Sequence, residues 1–231
     1  MSTLLRTLRR AALVVFSATA LSACGSLIGP SEAPPQIYVL HPQFGPVDNA
    51  PATTWQIGVP QPITSDALDT KRITLMRGQT MDYYANAAWT DQTGDLIQNL
   101  LVEALEKSGK VKAVGPTSGG VRADLLLVTE VRDFTARYSS DNGAPQIVVN
   151  LVAKLITSTH HDVVATHDAR AEAQASVNSV PAVVQAFNQA TGQAIQEIVG
   201  WTLNNATPQA SDALPPTTTQ PVHRRRHHRR H

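Results

Sequence analysis

Cysteine is almost absent from this 231-residue chain, which contains a single one, Cys24. One cysteine cannot form an internal disulfide, and the chain offers no partner cysteines for a redox motif or a thiolate metal site. A hydrophobic core must therefore stabilise the folded part. Aromatic residues are also scarce, at 5% of the chain.

Long hydrophobic runs are missing as well. Residues 11–23 form an apolar segment that is shorter than the roughly 20 apolar residues a transmembrane helix needs. Arg6, Arg9 and Arg10 precede this segment. Positive charge ahead of a short apolar stretch is typical of an N-terminal export signal.

The signal ends in a lipobox, the small-residue turn before the lipidated cysteine of bacterial lipoproteins, at Leu21, Ser22, Ala23 and Cys24. In that pathway the Cys24 thiol receives diacylglycerol, the chain is cut before Cys24, and the new amine usually receives a further acyl chain. Two or three acyl chains give a stable anchor. Gly25 follows the cysteine where an aspartate favours inner-membrane retention, so we expect anchoring at the outer membrane, facing the periplasm.

Charge is distributed unevenly along the chain, although the formal net charge is only +1. Residues 24–222 contain 11 basic and 18 acidic residues, which makes this part about −7. An acidic body argues against a nucleic-acid-binding domain. The last nine residues include a cluster of five arginines: Arg224, Arg225, Arg226, Arg229 and Arg230. We expect this tail to bind a polyanion, whether anionic lipid headgroups, an acidic partner or the chain's own acidic domain.

Composition divides the chain into four predicted parts. A signal peptide covers residues 1–23, and an acylated N-terminus with a Gly/Ser/Pro-rich flexible tether covers 24–36. The ordered domain is expected at 37–204. Residues 205–231, Pro/Thr-rich and then Arg/His-rich, contain too few large apolar groups to fold and are expected to be disordered.

Hydrophobic periodicity predicts two helices, at about 92–108 and 180–203. Strands are predicted at 37–40, 55–59, 72–76, 81–84, 110–114, 123–138, 146–157 and 163–176. Alanines at alternate positions of the last strand indicate that a helix lies close against it. This order predicts an α+β fold, an antiparallel sheet packed against two main helices in a two-layer sandwich.

No arrangement of polar residues predicts catalysis or metal binding. His160 and His161 are adjacent in a predicted turn, and His167 lies on the opposite strand face from Asp168, so no spacing brings three ligands together. The glycine-rich segment 115–120 lacks the lysine of a phosphate loop and leads into a strand. We therefore expect no catalytic residues, no metal and no cofactor beyond the acyl chains on Cys24.

Three aromatic residues, Tyr83, Tyr84 and Trp89, lie within seven positions of one another. Tyrosine and tryptophan are enriched at protein interfaces, so Tyr83 and Trp89 are candidate partner contacts. The interpretation that we favour is that Tyr84 and Trp89 pack against the first helix, with Tyr83 the exposed member of the three.

A set of spaced residues resembles the ABC-type transport auxiliary lipoproteins, the family of paraquat-inducible lipoprotein C. The resemblance covers about residues 37–203 and rests on hydrophobic signatures rather than a catalytic fingerprint. These are Tyr38-Val39-Leu40, Arg72-Ile73 with Arg77, Tyr83-Tyr84 with Trp89, Ala123-Asp124-Leu125 with Val131 and Phe134, and Phe187 with Trp201.

The resemblance implies a non-catalytic periplasmic component of a lipid-transport system. Such systems pair ABC transporter subunits with MCE-domain proteins that bridge the periplasm, and the lipoprotein would dock the far end at the outer membrane. A ring-forming homo-oligomer would match a symmetric channel end. The alternative function is an assembly or pilot lipoprotein for another outer-membrane machine.

Overall fold

The structure, a computed structural model, describes residues 34–120, 122–140 and 142–206. The chain divides into residues 1–36 and a unit from Ile37 onward. The described elements in chain order are β1 Gln36–Tyr38, β2 Gln56–Val59, β3 Ile63–Thr64, β4 Arg72–Arg77, β5 Thr80–Trp89, α1 Thr93–Ser108, β6 Ala113–Pro116, a 3₁₀ turn Thr117–Gly119, β7 Leu125–Tyr138, β8 Gln146–Thr157, β9 Val163–Gln174 and α2 Val180–Asn205.

Strand β7 organises the sheet, because it pairs with four other strands. Along one edge it is antiparallel to β8, which in turn is antiparallel to β9. Along its other edge it is parallel to β2, β3 and β4, which pair at successive points from Leu125 to Tyr138. Apolar residues at consecutive positions at the start of β7 are typical of a strand that is covered on both faces, and here Leu125 and Leu127 are buried while Leu126 is half-buried.

The α+β sandwich is confirmed, but the sheet is mixed rather than antiparallel as predicted. The antiparallel pairs β7–β8, β8–β9 and β4–β5 follow in direct succession and join through short turns. The parallel pairs, such as β2 with β6 and β2 with β7, join segments that are far apart in the chain. Parallel neighbours need long crossover connections, which carry no local turn signal.

Both predicted helices form, with their apolar stripes buried. In α1 the buried apolar residues are Leu96, Ile97, Leu100, Leu101, Ala104 and Leu105. The helix ends at Gly109, whose φ of 63° gives the left-handed conformation that glycine adopts without strain. Helix α2 begins beside Pro181, which suits a first helical turn, and packs on β8 and β9.

The alanine row of β9 lies beneath α2, as the alternation predicts. Ala169, Ala171 and Ala173 are buried, while the intervening Arg170 and Glu172 are exposed. Small side chains on this face let the helix approach the sheet closely. The opposite sheet face carries ion pairs such as Arg170–Glu172 and Arg132–Asp168, as expected of a solvated face.

Three aromatic rings form the centre of the core. The Trp89 and Phe187 ring centroids lie 5.2 Å apart in an edge-on arrangement, and those of Phe134 and Phe187 lie 4.8 Å apart. The three residues come from β5, β7 and α2, so this contact joins the sheet to its covering helix. In the described part of the chain, neither helix combines the length and hydrophobicity needed to cross a membrane.

Candidate interaction site

Most residues predicted to carry function lie outside the described segments. These are the lipobox residues Leu21 to Cys24 and the five tail arginines. Lipid attachment at Cys24 and polyanion binding by the tail therefore stay predictions.

The side chain of Trp89 is fully buried in this fold, so it cannot contact a partner protein. It packs against Phe134 and Phe187, which belong to β7 and α2. The assignment of Trp89 as a partner contact is thus wrong. The physical reason is that Trp89 ends β5 on the sheet face that the helices cover, a placement that depends on tertiary packing.

Tyr83 remains a candidate partner contact, since it is only half-buried. The Arg72 guanidinium lies 4.0 Å from the centre of its ring, and its hydroxyl donates to the Ala67 carbonyl over 3.1 Å. The cation–π contact and the hydrogen bond hold the ring in one orientation. A pre-ordered tyrosine loses little side-chain entropy on binding.

Tyr84 belongs to a polar network at the end of the sheet. Tyr138 donates to Asn178 Oδ1 over 2.8 Å, so Tyr84 donates to the Tyr138 hydroxyl over 2.8 Å. Burial of its hydroxyl, and then the hydrogen bond to Tyr138, raise the pKa of Tyr84 well above its usual value of 10.0. The network ties β5, β7 and the segment before α2 together.

The histidines take up separate positions. His160 and His161 lie exposed in the turn before β9. The His167 ring stacks on Trp201 at 5.4 Å between centroids, and its Nε2 lies 2.8 Å from Glu197 Oε1. Among the described residues, no group of three His, Cys, Asp or Glu side chains is placed to hold a metal ion.

The glycine-rich segment 115–120 runs from β6 through the 3₁₀ turn Thr117–Gly119 towards β7. It therefore does not lead into an α-helix N-terminus, which a phosphate loop requires.

A segment that belongs to no helix or strand lies along α2, and we call residues 39–45 the strap. The His41 amide donates to Asn188 Oδ1 over 2.6 Å, and the Gly45 amide donates to Gln196 Oε1 over 3.1 Å. Gly192 lies between these two contacts. A Cβ there would stand 3.2 Å from the carbonyl oxygen of Gln43, so glycine permits the close approach.

A groove of about 880 Å³ lies between the strap, α2 and the end of β9. Its lining is rich in side-chain amides: Gln43, Gln174, Gln185, Gln189, Gln193 and Gln196, with Asn188. None of its described lining residues is Asp, Glu, Lys or Arg. Neutral amides both donate and accept hydrogen bonds, so the groove suits an uncharged polar ligand.

Sequence reasoning missed this groove. The signal was present, because Gln185, Gln189 and Gln193 recur every four residues on a predicted helix. These glutamines form a groove only together with the strap and the end of β9, which come from distant parts of the chain.

Comparison with known proteins bears on this fold. The family model of the ABC-type transport auxiliary lipoprotein component matches residues 38–199. The chain is 32% identical to protein XCC0632 from Xanthomonas campestris, whose crystal structure superposes with a TM-score of 0.68 over 73% of this chain and 94% of that one. A second crystal structure, of an uncharacterized protein, shares the fold with a TM-score of 0.56 at 16% identity, over 72% of this chain and 97% of that one.

A further relative is the uncharacterized protein bll6063 of Bradyrhizobium diazoefficiens. It is 25% identical over 147 residues, which are 64% of this chain and 39% of that protein. The chain thus aligns with less than half the length of this curated relative. The family match covers most of the folded unit and confirms the resemblance carried by the spaced residues: the chain belongs to the ABC-type transport auxiliary lipoprotein component family.

Proposed function

We propose that this protein is a non-catalytic, lipid-anchored subunit that docks an MCE/ABC-type intermembrane lipid transport system at the outer membrane. The family match over residues 38–199, downstream of a lipobox, carries this proposal. An auxiliary component works by binding other subunits, and the domain offers surfaces for binding, including the half-buried Tyr83 and the amide groove.

The anchor sets how far the domain can reach. Ile37 lies thirteen residues along the chain from Cys24, and a chain of that length spans at most about 45 Å. The folded unit therefore stays close to the membrane that holds the acyl chains. This reach suits a subunit that receives the far end of a periplasm-spanning partner.

The C-terminal arginines offer a binding site for a polyanion, separate from the acyl anchor. Five fixed positive charges follow a Pro/Thr-rich segment, and such a cluster is attracted to anionic surfaces. We propose that the tail binds anionic lipid headgroups, with an acidic partner as the alternative. A ring of several copies would give the docking site the symmetry of a channel end.

Purification of the acylated protein from native membranes after gentle crosslinking tests this function. We expect mass spectrometry to find an MCE-domain protein and its ABC transporter with the purified chain. Deletion should also increase sensitivity to detergents and solvents. Recovery of a secretin or an outer-membrane barrel without those subunits would instead identify an assembly or pilot lipoprotein.

A further inference from the structure

Helix α2 carries two parallel series of residues at four-residue spacing. One series is Asn188, Gly192 and Gln196, and both of its amides accept hydrogen bonds from backbone N–H groups of the strap. The other series is Gln185, Gln189 and Gln193, one helical stripe away and facing the groove. The chain thus already uses amides of this helix to hold the strap.

The spacing of such amides matches the repeat of an extended chain. Asn188 and Gln196 are eight residues apart, or about 12 Å along the helix. Their strap partners His41 and Gly45 are four residues apart, or about 13 Å in extended chain. Four helical residues therefore correspond to two residues of an extended segment, the repeat at which its backbone amides point the same way.

The second series has the same spacing and no partner of its own. Gln185, Gln189 and Gln193 are exposed, and their side-chain amides make no hydrogen bond to another described residue. They stand about 6 Å apart along the helix, against about 6.7 Å for two residues of an extended chain. They line the concave surface of the groove.

The remaining lining of the groove restricts the side chains of a ligand. Ala182, Val184 and Ala186 contribute small apolar surface, and Val39 on the strap is 59% exposed. The described lining includes the imidazole of His41 but no Asp, Glu, Lys or Arg, so it offers no permanently charged side chain to pair with a charged group. Burying an unpaired charge there would be costly, so an uncharged segment fits best.

We propose that the groove beside α2 binds an extended, uncharged polypeptide segment of the MCE-domain partner, lying alongside the strap. Gln185, Gln189 and Gln193 hydrogen-bond the backbone of that segment, as Asn188 and Gln196 do for the strap. The series spans about 12 Å, which corresponds to roughly four to five residues of the partner. This assignment rests on the proposed function and names its partner-facing surface.

A charge-insertion experiment tests the groove without perturbing the fold. Gln189→Lys, and the triple change Gln185→Lys, Gln189→Lys and Gln193→Lys, alter exposed side chains that make no internal hydrogen bond. Glutamine and lysine have similar helix propensity. The matched control is Asn99→Lys, an exposed amide on α1 outside the groove.

Each variant is expressed as the full-length lipoprotein and purified from native membranes after crosslinking. Because a bound segment would lose hydrogen bonds and face unpaired charge, we expect partner recovery to fall by about tenfold or more in the triple variant. Asn99→Lys should recover the partner at the wild-type level. Wild-type recovery of the triple variant would overturn the groove assignment and leave the proposed function intact.

A photo-crosslinking residue in place of Gln189 identifies the occupant directly. We expect adducts that map to an uncharged stretch of the MCE-domain protein, and none from the same residue in place of Asn99. Adducts with a second copy of this chain, with lipid or with glycan would overturn the proposal, as would no adduct while the partner still co-purifies. Failure of the wild-type chain to recover any MCE protein would overturn the proposed function itself.

Discussion

Phe187 is the residue on which the core depends most directly, since it contacts both Trp89 and Phe134 and is fully buried. Phe187→Ala should lower the free energy of unfolding by about 3–5 kcal/mol, because it removes buried area and leaves a cavity. Urea denaturation of the folded unit measures the loss. Val177→Ala, at a side chain that is 57% exposed, is the control and should change stability by less than about 0.5 kcal/mol. Equal losses in the two variants would contradict the assigned core.

Tyr84 makes stability depend on alkaline pH. Its pKa is raised in the folded state above the usual 10.0, so the unfolded chain releases this proton first as the pH rises. The stabilising effect is complete below about pH 10 and is lost progressively above it. Tyr84→Phe removes the titrating group.

Urea denaturation across pH 9 to 11 should therefore show the stability advantage of the wild type over Tyr84→Phe shrinking as the pH rises. Ile73→Val, a buried change without a titrating group, should keep a constant difference from the wild type. A constant difference for Tyr84→Phe as well would contradict the assigned burial and hydrogen bond of Tyr84.

At the scale of elements, the contact between β9 and α2 depends on small side chains. Ala169 is fully buried in the row that faces the helix. Ala169→Leu should destabilise the fold by about 1–3 kcal/mol, because the helix must move away from the sheet. Thr166→Leu places the same side chain on the exposed side of the same strand. Thermal denaturation of both variants should show a clear loss only for Ala169→Leu.

For the molecule as a whole, membrane attachment is expected to depend on one atom, the Sγ of Cys24. Cys24→Ser should move the protein from the membrane fraction to the soluble periplasmic fraction when membranes are washed at high salt, because no acyl chain can be attached by the thiol and salt screens the charges of the tail. Immunoblotting of separated fractions measures the change. Ser26→Ala, two residues away, should leave the protein in the membrane fraction. Retention of Cys24→Ser in the membrane would contradict the lipobox interpretation.

The basic tail should contribute a salt-dependent contact. Removal of residues 223–231 eliminates its five arginines. We expect this truncation to abolish the binding of the non-acylated protein to phosphatidylglycerol vesicles. The non-acylated protein with its tail intact should lose the same binding at high salt, because salt screens exposed charges. Vesicle co-sedimentation measures both effects. Vesicle binding that changes with neither salt nor truncation would contradict an electrostatic role for the tail.

Local patterns predicted most elements correctly. Helix α1, predicted at 92–108, is observed at Thr93–Ser108, and β8, predicted at 146–157, is observed at Gln146–Thr157. Both have strong periodicity and clear end signals. The strand predicted at 110–114 lies instead at Ala113–Pro116, because a short segment takes its bounds from its neighbour in the sheet.

The sequence by itself determined the local features: the acidic body, the two amphipathic helices and the close fit implied by the alanine row. It also predicts the lipobox that ends at Cys24. Each depends on residues that lie within a few positions of one another. Only the tertiary structure decided that β2, β3 and β4 run parallel to β7, that Trp89 is buried, and that strap and helix enclose an amide groove. These features join segments up to about 150 residues apart, and their free energy comes from long-range packing that no short window of sequence contains.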